Sequence, residues 1–304
     1  MAAGNVFPRV SNLNHRELFR LTDNTRDAIE WCREHGLLAR RRDCVACGGE
    51  MLESADQKRS DGVRWRCRNR VCRREVSIRD GSFFSNSNLE LVKIIDLLYL
   101  YSYETASFKT LIRECRLASE AMVNWRNFVR DIYGEYFIRH PLRIGGPGHV
   151  VEIDESAFVR RKHNVGRMVN TQWVFGGLDV GTQEDFLVVV DRRDADTLLP
   201  VLREYVIPGS TFVSDLWGAY QTINNRGYVH LTVNHRLHFV DPITHATTNH
   251  VESMWCRAKQ RNKKECGTTR DLLATYLTEF MWRQRFGDDP FENLLRHIRE
   301  VYPL

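Results

Sequence analysis

The sequence predicts a multidomain α+β protein, in which a small cysteine-knuckle module and a helical region precede a larger α/β domain. Three observations carry this. Four of the eight cysteines fall in one basic stretch as two close pairs, Cys44 with Cys47 and Cys67 with Cys72. A series of helix-period patterns follows, and the segment RIGGPGH, with three glycines and a proline, then marks a boundary. Beyond it, three strand patterns in succession give way to alternating helix and strand.

Length and composition set the outer limits. With 304 residues and 42% hydrophobic content, the chain can support two or three compact domains, each with its own core. No apolar run approaches the roughly 20 residues needed to span a bilayer. The start, MAAGNVFPRVSN, lacks the apolar centre of a secretory signal. A soluble intracellular protein with no membrane partner is expected. The formal net charge is +5, and residues 40 to 80 hold twelve Lys or Arg against seven Asp or Glu, so the excess sits in that segment. A concentrated basic module suggests a polyanion partner; a solvated basic face is the plain alternative.

Residues 1–40 read as a helical lead-in, with Leu18, Leu21, Ala28, Ile29 and Trp31 as packing residues. Residues 41–85 read as a zinc ribbon, because Cys44-x2-Cys47 and Cys67-x4-Cys72, 19 residues apart, resemble paired knuckles. A segment this short has too little core to fold well without a metal staple. Disulfides compete with this reading, but four further cysteines show no pairing logic and no secretory signal is present. One structural Zn²⁺ on Cys44, Cys47, Cys67 and Cys72 is expected. Around these ligands, Arg64, Arg66 and Arg68 are candidates for phosphate contacts.

After the ribbon comes a short strand and polar turn in GSFFSNSNLEL, and residues 86–142 carry three helical patterns. The last two, joined by a tight turn, fit a helix-turn-helix. Met122, Trp125, Phe128, Val129 and Ile132 form the apolar stripe of the third. Its outward face presents Asn124 and Asn127, with Arg126 and Arg130, as candidates for reading base edges in the major groove. An ordinary three-helix core would carry the same stripe.

From 148 to 304 the order is strand 148–158, strand 172–180, strand 185–191, helix 195–206, strand 211–215, helix 216–225, strand 229–234, helix 249–263 and an amphipathic stretch 269–286. Three acidic residues occupy telling places in it: Asp154 on the first strand, Asp215 closing the fourth, and Glu252 near the start of a helix striped by Val251, Met254, Trp255 and Ala258. Singly, each has a plain reading as a turn or cap residue, and Glu252 follows Asn249 at capping-box spacing. Jointly, their order is that of a ribonuclease H-like fold, which gathers a first central strand, a fourth strand and a later helix at one edge. Basic stretches flank the acids, with Arg160, Arg161 and Lys162 in one and Lys259 and Lys263 in the other, as candidates for DNA phosphates. His230, His235, His238, His245 and His250 match no standard zinc spacing.

The segments VEIDESAFVRRKHNVGR, TQWVFGGLDV, FVSDLWGAY, YVHLTVNHRLHFVDP and THATTNHVESMWCRAKQRNK resemble, in order, the transposase domain of Merlin-type DNA transposons and related bacterial insertion sequences. The GLL that ends the lead-in before the first cysteines is part of the same pattern. The resemblance implies a DDE-type transposase with a ribonuclease H-like catalytic domain, whose catalytic acids fall on Asp154, Asp215 and Glu252. Some bacterial relatives carry a different third residue near this position, which leaves Asn249 and His250 as lesser candidates. It further implies double-stranded DNA as partner, both terminal inverted repeats and target, and a homo-oligomer on DNA. The implied compartment is the nucleus, or the cytoplasm for a bacterial source.

The chemistry suits these residue types. Phosphodiester transfer accumulates negative charge at phosphorus, and two Mg²⁺ (or Mn²⁺) ions take carboxylate oxygens while activating attacking and leaving groups. Asp154 is expected to bridge both ions. A transposase-derived DNA-binding or chromatin protein without transposition activity is the other function class the sequence leaves open, and a structure-selective nuclease of the same fold is a third.

Overall fold

Asn14 and Asn24 divide the expected lead-in helix in two. Asn14 closes a capping box with Glu17 at the start of α1 (His15–Leu21), and Asn24 accepts the Asp27 amide at the start of α2 (Thr25–Glu34). A residue in extended conformation that caps a second helix cannot also continue the first. Leu18, Ala28, Ile29 and Trp31 are buried, whereas Leu21 is 48% exposed at the end of α1. The computed structural model describes residues 7–159, 171–220, 227–234, 240–242, 244–264 and 269–304. The chain divides into two compact units, one running to Glu135 and taking in Phe286–Leu304, the other Tyr136–Arg285.

In the first unit, β1 (Met51–Ala55), β2 (Val63–Cys67) and β3 (Glu75–Ser77) form an antiparallel sheet in that order. The stretch GSFFSNSNLEL, expected to open with a strand, consists of turns. The hydroxyls of Ser82 and Ser85 both donate to the Arg79 carbonyl, local bonds that compete with a ladder. Three helices follow: α3 (Leu91–Ser102), α4 (Phe108–Glu114) and α5 (Ser119–Arg139). The Ser107 hydroxyl accepts the Thr110 amide to start α4. On α5, Met122, Trp125, Val129 and Ile132 are buried but Phe128 is 48% exposed.

The C-terminal helix, Pro290–Val301, buries Phe291, Leu294, Leu295 and Ile298. Phe291 packs against Trp31 and Tyr99, and Glu292 accepts the Val10 amide at 2.7 Å. The α/β domain expected over 148–304 therefore stops at Arg285, and the last helix belongs with the N-terminal unit.

The second unit begins with β4 (Ile144–Gly145), followed by β5 (Val150–Val159), β6 (Gln172–Asp179), β7 (Asp185–Val190), α6 (Ala195–Tyr205), β8 (Val206–Ile207), β9 (Thr211–Ser214), β10 (Val229–Thr232), α7 (Asn249–Lys264) and α8 (Arg270–Phe286). Among the described residues β4 pairs with β8 alone, while the main sheet runs β10-β9-β5-β6-β7. β5, β6 and β7 are an antiparallel meander, and β9 lies parallel to both β5 and β10. Counted in chain order these five strands stand 3-2-1-4-5, the order of a ribonuclease H-like core. Of the helix expected over 216–225, the structure describes only a 3-10 turn, Gly218–Tyr220. Gly176 and Gly177 on β6 let aromatic rings close on both faces of the sheet. A Cβ at Gly176 would stand 2.8 Å from Trp255, and one at Gly177 would stand 2.5 Å from Phe186. Among the described residues, no helix is long and apolar enough to cross a membrane.

Asp185 is the buried polar exception at the start of β7. It is 3% exposed, and its Oδ2 has no partner among the described residues. Burial pushes its carboxyl from the ordinary 3.8 up to about 7, against the opposing pull of Arg257. The folded protein thus holds a proton that the unfolded chain releases, so this group lowers stability as pH rises from 3.8 to about 7. Asp185→Asn should flatten that decline and raise stability above pH 7 by on the order of a few kcal/mol. Denaturant melts from pH 4 to 8 test this; parallel pH profiles for the two proteins would contradict it.

Candidate active site and cysteine cluster

Parallel pairing of β5 with β9 brings two of the expected acids level. Glu152 stands opposite Val213, so Asp154 and Asp215, each two residues further along, reach the same height on neighbouring strands. Asp154 is half-buried, and Glu252 is exposed in the first turn of α7. Burial first, then the Asp215 and Glu252 charges, push the Asp154 carboxyl up to about 6. The Glu155 amide and the Trp255 indole oppose that rise. Three carboxylates thus share one field, although they do not close into a cluster with all donor oxygens within 4.8 Å. Among the described residues only the four cysteines do so.

What aims α7 at Asp154 is a residue absent from the expected site. Glu152 shares a face of β5 with Asp154, by the two-residue period of a strand, and is 1% exposed. Its Oε2 accepts the backbone N–H groups of His250 and Val251 at 2.8 and 2.9 Å, and its Oε1 lies 2.7 Å from His250 Nδ1. First-turn amides have no partner inside their helix, and an anion there is favoured by the helix dipole. Glu152 therefore anchors α7 at its first turn, two residues before Glu252. The Glu252 carboxylate itself accepts from the Thr248 hydroxyl at 3.1 Å. Asn249, expected as the cap, is instead the first helical residue. Glu152→Ala should cost about 2–4 kcal/mol, because it strands buried amides and removes charged hydrogen bonds. A urea midpoint unchanged from wild type would refute that role.

Glu155 was also missed. It lies on the opposite face of β5 and accepts a hydrogen bond from the Tyr220 hydroxyl. Burial, then Asp154 and Asp215, push its carboxyl up to about 8, with Arg193 opposing. The alternation in HVVEIDESAF gave both faces, but nothing in the sequence marked which acids would be covered. Two of the histidines are separately engaged: His230 meets the Ser214 hydroxyl at 2.8 Å, and His250 meets Glu152. His235 and His238 lie outside the described residues.

In the first unit, the Sγ atoms of Cys44, Cys47, Cys67 and Cys72 all lie within 4.8 Å of one another. Cys44 and Cys72 are 3.6 Å apart, and Cys47 and Cys67 are 3.5 Å apart. These spacings exceed a disulfide bond of about 2.05 Å and lie close to the ~3.8 Å edge of a tetrahedral zinc–thiolate site. The Ala46 amide, then the Cys47 amide, hold the Cys44 thiol down at about 7, whereas burial pushes Cys67 up to about 12. The amides of Cys47 and Gly48 turn back onto the Cys44 carbonyl, which forms the first knuckle. The donor set and its spacing fit zinc.

Several expected DNA contacts are otherwise employed. Arg126 is 7% exposed and lies over the rings of Tyr101 and Phe108. Arg130 is 4% exposed and donates to the Asn127 side chain. Both arginines are core residues of the helical region, because their stems complete an apolar stripe while aromatic faces and local acceptors take the charge. Arg64 bonds Glu75 at 2.7 Å and Asp56 at 3.5 Å. Asn124, Arg66, Arg68 and Lys263 keep substantial exposure, and Lys259 reaches over the Phe158 ring. Arg160, Arg161 and Lys162 lie outside the described residues.

With this geometry in place, known proteins supply a class. Residues 147–285 match the ISXO2-like transposase domain. An uncharacterized transposase-like protein of Haemophilus influenzae is 32% identical over 116 residues, spanning 38% of this chain and 91% of that protein. The Male abnormal protein mab-31 of Caenorhabditis elegans is 25% identical over 321 residues, spanning 96% of this chain and 71% of that protein. Among solved structures, the HTLV-2 integrase catalytic core with magnesium aligns over 45% of this chain and 86% of its own, at 12% identity and TM-score 0.31. The mariner Mos1 paired end complex with Mg aligns over 69% and 76%, at 13% identity and TM-score 0.25. The chain belongs to the DDE-type transposases.

Proposed function

We propose that this protein is a metal-dependent polynucleotidyl transferase that binds terminal inverted repeats and cuts and rejoins DNA. The observation that carries this reading is the field shared by Asp154, midway along β5, Asp215, just past the end of β9, and Glu252 in the first turn of α7. The three carboxylates are a hard oxygen donor set suited to Mg²⁺ or Mn²⁺, which when bound neutralises charge developing at phosphorus and acidifies the attacking oxygen. Asp154 and Asp215 hold the reacting phosphate's surroundings from the sheet, and Glu252 does so from the helix that Glu152 anchors. In the first step, water bonds to phosphorus as the bond to the 3′ oxygen breaks, leaving a 5′-phosphate and a 3′-hydroxyl. In the second, that hydroxyl attacks a target phosphodiester and a new strand junction replaces the old one.

Lys259, Lys263, Arg66 and Arg68 contact phosphates, so affinity falls steeply with salt, and Asn124 contributes to reading the ends. The cysteine cluster holds one zinc ion as a ribbon, α4 and α5 act as a helix-turn-helix, and the protein works as a homo-oligomer in the nucleus. The test is incubation of the full chain with its flanking end DNA, with and without Mg²⁺, resolving cut and joined strands. Metal-dependent cutting at the end supports the reading. Tight end binding with no cutting under any divalent metal overturns it in favour of a transposase-derived DNA-binding protein. That second reading is favoured by a relative aligned over 96% of this chain that is named for a male abnormality.

A further inference from the structure

Near the acids, in the same unit, one arginine lies between two tryptophans. The Arg193 guanidinium carbon is 3.8 Å from the ring centroid of Trp173, on β6, and 4.8 Å from that of Trp217. Two bonds hold Trp217 in place. Its indole N–H donates to the Arg193 carbonyl at 2.9 Å, and its backbone N–H donates to Asp215 Oδ1 at 3.0 Å. The stack is thereby tied directly to one of the three acids.

Two features set it apart from a purely structural stack. Trp217 is 41% exposed, and Leu216 beside it is 60% exposed. Arg193 forms no ion pair and donates no side-chain hydrogen bond among the described residues. A structural arginine ordinarily spends its planar fork on carboxylates or carbonyls; this one is held by rings and keeps its donors.

We infer that Trp217, Arg193 and Trp173 form a platform for an unpaired nucleotide of the DNA end, an inference that rests on the acids acting on DNA. An exposed indole offers a face on which any base can stack, and the guanidinium edge offers two parallel donors to a phosphate. A base inside a duplex has both faces taken by its neighbours, so the platform selects nucleotides that have left the helix. Because Trp217 is bonded to Asp215, a base seated there fixes the adjoining phosphate next to the acids.

The test measures binding without added divalent metal, so that it does not depend on cutting. The full chain is titrated into a labelled end duplex that is either blunt or carries three unpaired nucleotides at its terminus. Wild type should bind the frayed end about tenfold tighter than the blunt one. Trp217→Ala and Arg193→Ala should each erase that preference while leaving blunt-end affinity unchanged, and Trp217→Phe should keep most of it. Equal affinity of wild type for both ends, or variants that weaken both alike, overturns the inference. Should Trp217→Ala melt early, Arg193→Gln, which removes the guanidinium while keeping a polar side chain, gives the same comparison in folded protein. A protein that grips frayed ends and never cuts leaves this inference standing and overturns the catalytic reading; one that cuts while ignoring fraying does the reverse.

Discussion

Asp154→Asn abolishes cutting of end DNA, by on the order of a thousandfold, without destabilising the protein. The two halves of this expectation have one cause. In the native protein, burial and the neighbouring Asp215 and Glu252 charges raise the Asp154 carboxyl to about 6. Above that pH the ionised group costs stability, because folding moves it from water into a half-buried site beside like charges. Asn has the same shape and no charge, so its melting temperature at pH 7 to 8 should equal or exceed that of wild type. Activity moves the other way. A neutral amide cannot neutralise a divalent cation, and losing several kcal/mol of transition-state stabilisation corresponds to roughly a thousandfold in rate. Strand-resolved cutting assays, run beside thermal melts on the same preparations, separate these effects. Retained cutting would remove Asp154 from the site, and a parallel fall in melting temperature would make the loss one of folding.

Much of this geometry could be read from periodicity. The strands of the second unit and the Val251, Met254, Trp255 and Ala258 stripe all follow from spacing, because a half-buried element must repeat its apolar residues at its own period. Periodicity states which face is covered and is silent on what covers it. The helix at Pro290–Val301 has a clear apolar face, yet only the structure assigns that face to Trp31 and Tyr99. Charge misleads in a related way. Arg126 and Arg130 sit at stripe positions of α5 and were expected outside, but aromatic rings and a neighbouring amide let the first unit bury them. Glu152 was legible only as one more strand residue. Its partners are backbone amides 98 and 99 positions away, and no side-chain pattern announces a backbone contact.

Removal of zinc should have the largest effect on folding, confined to the cysteine module. The three strands of that module bury few large side chains, chiefly Met51 and Trp65, with Cys44 and Cys67. So small a core does not offset the chain entropy of some thirty ordered residues. A tetrahedral thiolate site supplies about 10 kcal/mol or more of binding free energy at neutral pH, which makes the fold of this segment conditional on metal. The expected result is one zinc per chain and a module that loses amide protection over Cys44–Ser77 when a strong chelator is added. The amides to follow are those bonded across the knuckles and strands: Cys44 to Gly49, Met51 to Arg42, and Cys67 to Arg74. Cys72→Ser should reproduce the loss at ordinary zinc concentrations, because one missing thiolate weakens the site while leaving the core untouched. The sheet of the second unit has its own core and should keep its protection throughout. Reductant alone should change nothing, since sulfurs 3.5 and 3.6 Å apart are not bonded to each other. Loss of protection on reduction, with indifference to chelation, would replace the metal by disulfides.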